Sequence, residues 1–159
     1  MPNDWIITDW KMCQVGRQIF LSGGDKDNGK LCFRLDKRED DIFRRFRVRD
    51  MLFARMNHHL CTDGRSMFAT GGVITRNKYH EKAGRFKITL TMMSTAEVYD
   101  PLINKWSYMP NMKVARAMHS SCCLQGNLYV FCGYTSEKHY SNSIEKTNYA
   151  KKDKFWKTI

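Results

Sequence analysis

Short apolar runs separated by polar turns recur along the chain, and they are clearest between residues 96 and 134. Two runs, at 97–99 and 106–108, alternate apolar with polar positions, and a proline soon follows each of them. Two more, at 120–124 and 128–131, stop at turns that contain glycine. Successive side chains of a β-strand point to opposite faces of a sheet, and glycine and proline mark the turns between strands. The pattern therefore predicts an antiparallel meander of four short strands.

A hairpin signature occurs three times, which indicates an internal repeat. In each copy a glycine is followed seven positions later by another glycine, with a polar start and an apolar strand between them. The glycine pairs are Gly16 and Gly23, Gly64 and Gly71, and Gly126 and Gly133. A cysteine stands three residues before the first glycine of every pair, at Cys13, Cys61 and Cys123. Such a fixed offset is the signature of a repeat architecture, in which each unit depends on its neighbours.

Alignment of the copies divides the chain into three units of four strands, at approximately 5–48, 49–108 and 109–159. One four-stranded sheet cannot cover both of its faces, so adjacent units are expected to cover each other. The second unit is lengthened by a polar and basic excursion at 75–85, and the third carries a shorter one at 135–143. Long excursions from a rigid scaffold are usually either functional or disordered, and both alternatives are open for these two.

The stretch from Ala96 to Tyr134 resembles the kelch repeat. It contains Tyr99-Asp100, then Trp106, then Arg116, and ends on the glycine signature. The resemblance implies an all-β fold of about three four-stranded antiparallel blades of a kelch-type β-propeller. Rings of this kind normally close with four to eight blades. The chain is therefore expected to be a fragment of a longer product, one of two chains that complete a ring, or an open arc whose apolar end faces favour self-association.

The arginine-rich segment from Lys37 to Leu60 is compatible with two structures. It contains no glycine or proline, and it could form a basic amphipathic helix of the kind that an acidic groove binds. The alternative is the fourth strand of the first unit, Ile42 to Val48, followed by a loop, and register with the later units favours it. Its arginines would then form a solvated outer edge that resists aggregation. Ile42 or Phe43 stands where later units have tryptophan, so the first unit is expected to be the least well packed.

The charge is strongly positive, with 27 Lys and Arg against 16 Asp and Glu in 159 residues, a net +11. This balance favours acidic partners but does not bear on the fold. No apolar run approaches the roughly 18 residues that cross a bilayer, and the first residues lack the pattern of a secretory signal. The six cysteines form no C-x-x-C pair, so we expect reduced thiols. Together these features predict a cytoplasmic protein with no membrane partner.

Histidine and cysteine come close together in the sequence at 58–61 and at 119–122. A zinc site needs four converging ligands, which usually occur in tighter pairs. The repeat explains Cys61 and Cys123 without a metal, as a small buried apolar side chain used once in each unit. No metal site and no cofactor is therefore predicted.

The resemblance also implies where a ligand would bind. In kelch propellers, the connections between strands two and three, and those from strand four to the next blade, line a ligand-binding face. These connections carry long cations around an aromatic residue, which suits an acidic peptide because arginine pairs with carboxylates in bidentate fashion. The predicted partner-binding residues are Arg76, Lys78, Tyr79, His80, Lys82, Arg85, Lys138, His139, Tyr140, Arg47 and Arg49. The same connections contain Lys26, Lys30, Lys113 and Arg116, the last of which is also part of the repeat pattern. The alternative is that these charges only solubilise the loops.

The leading prediction is a non-catalytic protein–protein interaction module for an acidic protein or peptide, with actin as a partner by family analogy alone. Nucleic-acid or polyanion binding is an alternative, because basic and aromatic residues are interleaved. However, Trp106, Trp156, Tyr99 and Tyr149 are repeat residues and are expected to be buried. A fragment of a kelch-type copper radical oxidase is a weaker alternative. No spacing specifies catalytic groups, and Glu97-Asp100 is expected at a strand edge and turn.

Overall fold

The computed structural model of the chain describes residues 9–24, 29–39, 42–80, 85–136 and 139–159. These residues form sixteen β-strands, and they include no helix with the length and apolarity to cross a membrane. Twelve strands build three four-stranded antiparallel sheets, and the other four build two hairpins. The all-β architecture of three four-stranded units, the blades of a partial propeller, is therefore confirmed.

Within each sheet the strands lie in chain order and pair antiparallel. The first sheet contains β1 (Trp10–Val15), β2 (Gln18–Gly23), β3 (Cys32–Lys37) and β4 (Phe43–Arg47). The second contains β5 (His59–Thr62) and β6 (Met67–Thr70), and after an inserted hairpin of β7 (Val73–His80) and β8 (Arg85–Met92) it continues with β9 (Ala96–Asp100) and β10 (Lys105–Met109). The third contains β11 (Ser120–Leu124) and β12 (Asn127–Phe131), and after a hairpin of β13 (Tyr134–Ser136) and β14 (His139–Tyr140) it ends with β15 (Ile144–Asn148) and β16 (Lys157–Thr158).

The arginine-rich segment is a strand at its start, as register with the later units predicts. β4 pairs with β3, and Arg44 and Phe46 lie opposite Asp36 and Arg34. The amphipathic helix is therefore the wrong alternative for this segment. β10 ends at Met109, one residue beyond the predicted end of the second unit. The unit boundaries themselves stay a prediction, because strands do not define where one unit gives way to the next.

The apolar core lies between adjacent sheets and not within any one of them. One cluster joins Val15 and Phe20 of the first sheet to Met67, Tyr99 and Trp106 of the second sheet. A second cluster combines residues of the second and third sheets: Phe68, Ala96, Met112, Leu128, Val130 and Trp156. Each sheet therefore depends on its neighbour for burial, as the repeat pattern predicts.

The glycine signature has a steric cause at the contacts between sheets. A Cβ at Gly71 would lie 2.4 Å from the carbonyl oxygen of Arg116 and 2.6 Å from Cε1 of His119. A Cβ at Gly23 would lie 2.4 Å from Cε1 of His58. The second glycine of these pairs is therefore the place where a histidine from the following unit packs against the backbone.

Tryptophan fills an equivalent position in the second and third sheets. Trp106 and Trp156 are buried, and their indole N–H groups donate to the carbonyl oxygens of Arg49 and Pro110 at 2.9 and 2.8 Å. In the first sheet the corresponding residues, Ile42 and Phe43, are 59% and 44% exposed. The expectation of looser packing in the first unit agrees with this exposure. Of the other repeat aromatics, Tyr99 is buried, whereas Tyr149 is only half-buried.

Candidate functional site

Two hairpins project from corresponding places in adjacent sheets. β7–β8 follows the second strand of the second sheet and precedes its third strand, and β13–β14 occupies the same place in the third sheet. Of the excursion at 75–85, for which disorder is one alternative, residues 75–80 and 85 lie within a register of eight paired positions from Val73–Met92 to His80–Arg85. This paired part is a two-stranded ribbon, and residues 81–84 lie outside the described residues.

The preceding connection between sheets holds the base of each hairpin. Met56 and Val73 exchange two backbone hydrogen bonds, at 2.9 and 2.7 Å. Ala117 and Tyr134 do the same at 2.9 and 2.8 Å. Both hairpins consequently start from a fixed backbone position.

A buried arginine clamps the two ends of each hairpin. Arg55 donates from Nη1 to the carbonyl oxygens of Gly71 and Thr95, which flank β7–β8, at 2.6 and 3.2 Å. Arg116 donates in the same way to Cys132 and Ser143, which flank β13–β14, at 2.6 and 3.1 Å. Arg116, a residue of the repeat pattern, therefore has a structural role in this fold.

Each arginine is neutralised by a buried glutamate from the third strand of its sheet. Arg55 lies 2.7 Å from Glu97, and Arg116 lies 2.6 Å from Glu145, with all four side chains inaccessible to solvent. Glu97 also accepts the backbone N–H of Leu52. The expectation that Glu97 lies at a strand edge is therefore wrong, whereas Asp100 does cap a turn by accepting from the N–H of Leu102.

The sequence analysis did not identify Arg55 as a buried structural residue, although a repeated sequence pattern marks it. Arg55 and His58 are three residues apart, as are Arg116 and His119, and both residues are offset by 61 between the two units. Arg55 lies in the basic segment 37–60, where five other arginines obscure it. A repeated Arg-x-x-His pattern distinguishes this buried arginine from the exposed ones.

The register of β7–β8 sorts the predicted binding residues into two faces. Residues 76, 78 and 80 alternate with 75, 77 and 79, so they belong to opposite faces of the ribbon. Their partners across the strands complete a basic face: Arg76, Lys78, His80, Arg85 and Lys87. Tyr79 pairs with Phe86 on the other face. The part of Tyr79 in binding stays a prediction, and Lys87 is a further basic residue of the ribbon.

The shorter hairpin contributes aromatic and polar groups. His139 and Tyr140 are both exposed on β14, Tyr140 to 83%. The Tyr140 ring packs edge-on against Tyr134, with ring centroids 4.8 Å apart. Lys138, like Lys82 and Lys26 of the other connections, lies outside the described residues.

Arg47 and Arg49 lie at a different place. The guanidinium of Arg47 pairs with Asp50 at 2.7 Å, and the backbone N–H of Arg49 donates to Asn104. Asn104 belongs to the turn after β9, whereas the β7–β8 hairpin precedes β9. The structure therefore ties these two arginines to the opposite end of β9 from the basic hairpin, and their part in binding stays a prediction.

The three repeat cysteines occupy the first strand of each sheet, as predicted. Cys13, Cys61 and Cys123 pair with Phe20, Phe68 and Leu128 on the second strands. They are half-buried and pack against the apolar clusters instead of being fully buried. Burial, with a smaller effect from Cys61, raises the pKa of Cys13 to about 12, which keeps this thiol protonated. Among the described residues, no group of three or more His, Cys, Asp and Glu is arranged to hold a metal ion.

Two buried histidines connect the sheets. His58 Nε2 lies 3.1 Å from Ser22 Oγ, and His119 Nε2 lies 2.8 Å from Thr70 Oγ1. Burial, followed by the positive charge of Arg55, lowers the pKa of His58 well below its usual range. Burial and neighbouring basic groups lower the pKa of His119 to about 3. Both imidazoles are therefore neutral in the folded protein near neutral pH.

Lowering the pH is expected to destabilise the folded protein at pH values well above those at which carboxylates titrate. Below about pH 6.5 the unfolded chain binds a proton on His119 that the folded chain excludes, and this difference persists down to the folded pKa of about 3. The free energy of unfolding should fall by up to roughly 1.4 kcal/mol per pH unit for each such histidine. Urea denaturation at a series of pH values measures this slope.

The variants His119→Gln and Thr70→Val separate proton linkage from simple loss of a contact. Thr70→Val removes the hydrogen bond between the sheets and keeps the histidine, whereas His119→Gln removes the titrating group. We expect a shallower acid slope in His119→Gln and an unchanged slope in Thr70→Val. Equal slopes in the two variants and the wild type would contradict the assignment of this pH dependence to His119.

Comparisons with known proteins agree with this geometry. A family model described as the kelch motif matches residues 92–113, which include β9, β10 and the start of the following connection. Kelch-like protein 15 of Danio rerio is 27% identical over 96 residues, which cover 59% of this chain and 14% of that protein. The solved structure of YjhT superposes with a TM-score of 0.73 and 11% identity, over 96% of this chain and 50% of that one. The chain thus spans half or less of the length of the proteins that it matches.

Proposed function

We propose that this chain, which belongs to the kelch-repeat family, is a non-catalytic protein-interaction module that binds an acidic protein segment on the basic face of its long hairpin. The observation that carries the proposal is the register of β7–β8. It places five basic residues on one face of a two-stranded ribbon whose base is clamped to the sheet.

Repulsion within the ribbon favours an anionic partner. Lys78 is directly opposite Lys87 in the register of the ribbon. Like charges in directly opposed positions destabilise a strand pair, and a bound carboxylate between them would relieve the repulsion. Arginine at the two positions Arg76 and Arg85 would orient the carboxylates by bidentate hydrogen bonding. The net charge of +11 would accelerate association with an acidic surface.

The clamp supports binding because it fixes the ribbon before the partner arrives. Arg55 joins Gly71 to Thr95, and Met56 pairs with Val73, so both ends of the insertion are held by buried groups. A ligand site on a fixed element loses less conformational entropy on binding than one on a free loop. The exposed His139 and Tyr140 of the adjacent hairpin are proposed as secondary contacts.

Removal of the basic face should weaken binding to an acidic peptide by at least about tenfold, because several charge-assisted hydrogen bonds are lost. The test variant changes Arg76, Lys78, Arg85 and Lys87 to serine. The probe is a fluorescein-labelled peptide of alternating glutamate and serine, titrated with the protein and followed by anisotropy at low and physiological salt.

A charge-matched variant controls for attraction by net charge alone. It changes four exposed basic residues outside the two inserted hairpins to serine: Arg17, Arg65, Lys105 and Lys151. We expect it to bind nearly as well as the wild type at physiological salt. Equal weakening in both variants would contradict the proposal. Tighter binding of a labelled single-stranded oligonucleotide, with a steep salt dependence, would instead favour the nucleic-acid alternative.

A further inference from the structure

Two cysteine side chains meet where the second sheet borders the third. Cys61 Sγ lies 3.7 Å from Cys123 Sγ, although the two residues are 62 positions apart in the chain. They belong to β5 and β11, edge strands of their sheets that contact each other. Both are free thiols, and both are half-buried. We call these two side chains the thiol pair.

A second contact holds the same two strands in register. His59 and Ser121 precede the cysteines by two residues, so each lies on the same face of its strand as the thiol that follows it. His59 Nδ1 lies 2.7 Å from Ser121 Oγ and accepts the backbone N–H of Ser121 at 3.2 Å. The approach of the two sulfurs therefore follows from the position of the strands.

The two sulfurs of the thiol pair are chemically unequal. A hydrogen bond from Cys123, with a smaller effect from Ser121, lowers the pKa of Cys61 in spite of burial and the charge of Asp63. The same hydrogen bond, followed by burial, raises the pKa of Cys123. A donor to a thiolate favours the charged form, and the thiolate is the form that attacks an oxidant. Cys61 is therefore the nucleophile of the pair, and Cys123 is the thiol that reacts second.

Cys13 provides a comparison within the chain. It is half-buried at the same repeat position of the first sheet, but burial raises its pKa to about 12. A thiol with this pKa is protonated near neutral pH and reacts slowly with an oxidant. The lowered pKa of Cys61 is thus a property of its contact with Cys123 and not of the repeat position.

A pocket of about 580 Å³ between the second and third sheets adjoins the thiol pair. Phe68 lines this pocket and is the strand partner of Cys61, so the two side chains lie on the same face of the second sheet. Cys123 and Tyr149, from the third sheet, pack against the same buried cluster. The thiol pair therefore lies beside a space that is open to small molecules.

The pocket is open because the second sheet has small residues where the first sheet has large ones. Val98 is opposite Phe68 and stands where the first sheet has Arg34. Ser107, opposite Val98, stands where the first sheet has Phe46. The corresponding groove between the first and second sheets measures only about 250 Å³. Of these two contacts between sheets, the one that contains the thiol pair gives an oxidant more room.

We infer that Cys61 and Cys123 are a site of reversible oxidation, at which a peroxide joins the second and third sheets through a disulfide. The Cys61 thiolate attacks one oxygen of the peroxide. An S–O bond forms as the O–O bond breaks, and the hydroxide that leaves takes up the proton lost by Cys61. Cys123 then attacks the Cys61 sulfur, and an S–S bond forms as the S–O bond breaks. The hydroxyl group leaves as water with the Cys123 proton, so two thiols are oxidised and one hydrogen peroxide becomes two waters.

Bond formation requires only a short movement. The sulfurs approach by about 1.7 Å, from 3.7 Å to a bond length of about 2.0 Å. Rotation about the Cα–Cβ bonds moves both sulfurs while His59 and Ser121 keep the strands in register. Exchange with a reducing thiol reverses the bond, as suits a transient response in a reducing compartment.

The disulfide is expected to raise the thermal unfolding midpoint by at least about 5 °C, because it closes a long loop in the unfolded chain. The reaction involves no residue of the β7–β8 hairpin. It therefore does not rest on the proposed function of that hairpin, and either can fail alone.

The test uses the whole chain with its two exposed cysteines replaced, Cys122→Ser/Cys132→Ser, so that Cys123 is the single thiol of the tryptic peptide 117–138. The folded protein is treated with hydrogen peroxide, the remaining thiols are blocked with N-ethylmaleimide, and the digest is analysed by mass spectrometry without reduction. Peptide 117–138 should be linked to peptide 56–65, which contains Cys61, in a chain that migrates as a monomer. A phosphine reductant should remove both the link and the rise in the midpoint.

Two further variants in this background make the result specific to the thiol pair. Cys13→Ser, the matched control at the same repeat position, should keep the link and the rise in the midpoint. Cys123→Ser should lose both, and dimedone should then capture the sulfenic acid on Cys61. If the background variant does not fold, single variants of the wild-type chain decide: the link should be lost in Cys123→Ser and kept in Cys122→Ser.

Unfolding the protein before oxidation controls for random pairing. In the folded chain Cys61 should prefer Cys123 to Cys13 by at least about tenfold, because proximity selects the partner. In concentrated urea this preference should disappear, since the two loops that can close, of 48 and 62 residues, are similar in length.

The inference is overturned if the folded chain gives no link between the two peptides, if Cys61 joins Cys13 instead, or if the link forms only between chains. A preference for Cys123 that is as strong in urea as in the folded protein also overturns it, because the contact between the sheets would then not direct the reaction. A linked chain with an unchanged midpoint would contradict the placement of the disulfide between two sheets. None of these results bears on the proposal for the hairpin.

Discussion

Replacement of Arg55 with methionine is expected to lower the free energy of unfolding by about 3–5 kcal/mol, because it leaves Glu97 as a buried charge without its cation. The loss is large against the 5–15 kcal/mol that typically stabilises a domain. The substitution also removes the donors to Gly71 and Thr95, so the β7–β8 hairpin loses the clamp at its base. Urea denaturation followed by circular dichroism measures the first effect, and amide hydrogen exchange of β7 and β8 measures the second.

A matched substitution at an exposed ion pair separates burial from charge. Arg47 pairs with Asp50 at 2.7 Å, a distance equal to that of Arg55 and Glu97, but its side chain is 62% exposed. Arg47→Met is expected to have no measurable effect on stability, because water and salt screen such pairs. The double variant Arg55→Met/Glu97→Gln should be less destabilised than the sum of its single variants. Similar losses in Arg47→Met and Arg55→Met would refute the structural role of the buried pair.

Replacement of Trp106 with alanine is expected to cost about 3–5 kcal/mol of unfolding free energy. The indole is buried between the first and second sheets, contacts Tyr99 at a centroid distance of 5.1 Å and donates to the carbonyl oxygen of Arg49. Its removal leaves a cavity in the contact between the sheets together with an unsatisfied carbonyl group. The unfolding midpoint in urea and the slope of the transition would both report the change.

Trp106→Phe serves as the control, because it retains a ring but not the N–H donor. We expect it to cost about 1–3 kcal/mol, the penalty for a buried polar group left without a partner, plus a small packing loss. Phe43→Ala, at the partly exposed equivalent position of the first sheet, should cost less than either. If Phe43→Ala were as damaging as Trp106→Ala, the first sheet would not be the less well packed one.

The hairpin and the pocket between the second and third sheets make different use of one architecture. The hairpin is an insertion between two strands of a sheet, so its sequence can vary without disturbing the core between the sheets. The pocket, in contrast, arises from substitutions within the sheet, where Val98 and Ser107 stand in place of a larger pair. A rigid scaffold that carries a long inserted connection suits a module for recognition.

The strands and the repeat could be predicted because the forces that specify them are local. Alternation of apolar and polar residues, glycine at left-handed positions and proline after strands all act within a few residues. Gly71, with φ of +57°, and the hairpins that begin near Gly16 and Gly126 follow from this chemistry. The same local signals identified β4 as a strand once the later units provided its register.

The charged residues were harder to place, because their environment depends on distant parts of the chain. Arg55 and Arg47 lie in one basic segment, yet one side chain is inaccessible to solvent and the other is mostly exposed. Glu97 was expected at a strand edge because no residue near it in the sequence indicates a buried partner for its carboxylate. Only its contact with Arg55, 42 positions away, accounts for a buried carboxylate.

The amino-acid sequence by itself determined that this chain forms repeated four-stranded antiparallel units with basic insertions, since period, turn residues and composition are properties of short stretches. The tertiary structure alone decided which arginines are buried clamps, which face of the ribbon is basic and which groove between sheets is open. Those outcomes depend on the side chains that adjacent sheets bring into contact. Whether a groove is filled by Arg34 and Phe46 or left open beside Val98 and Ser107 becomes apparent only when the sheets are packed together.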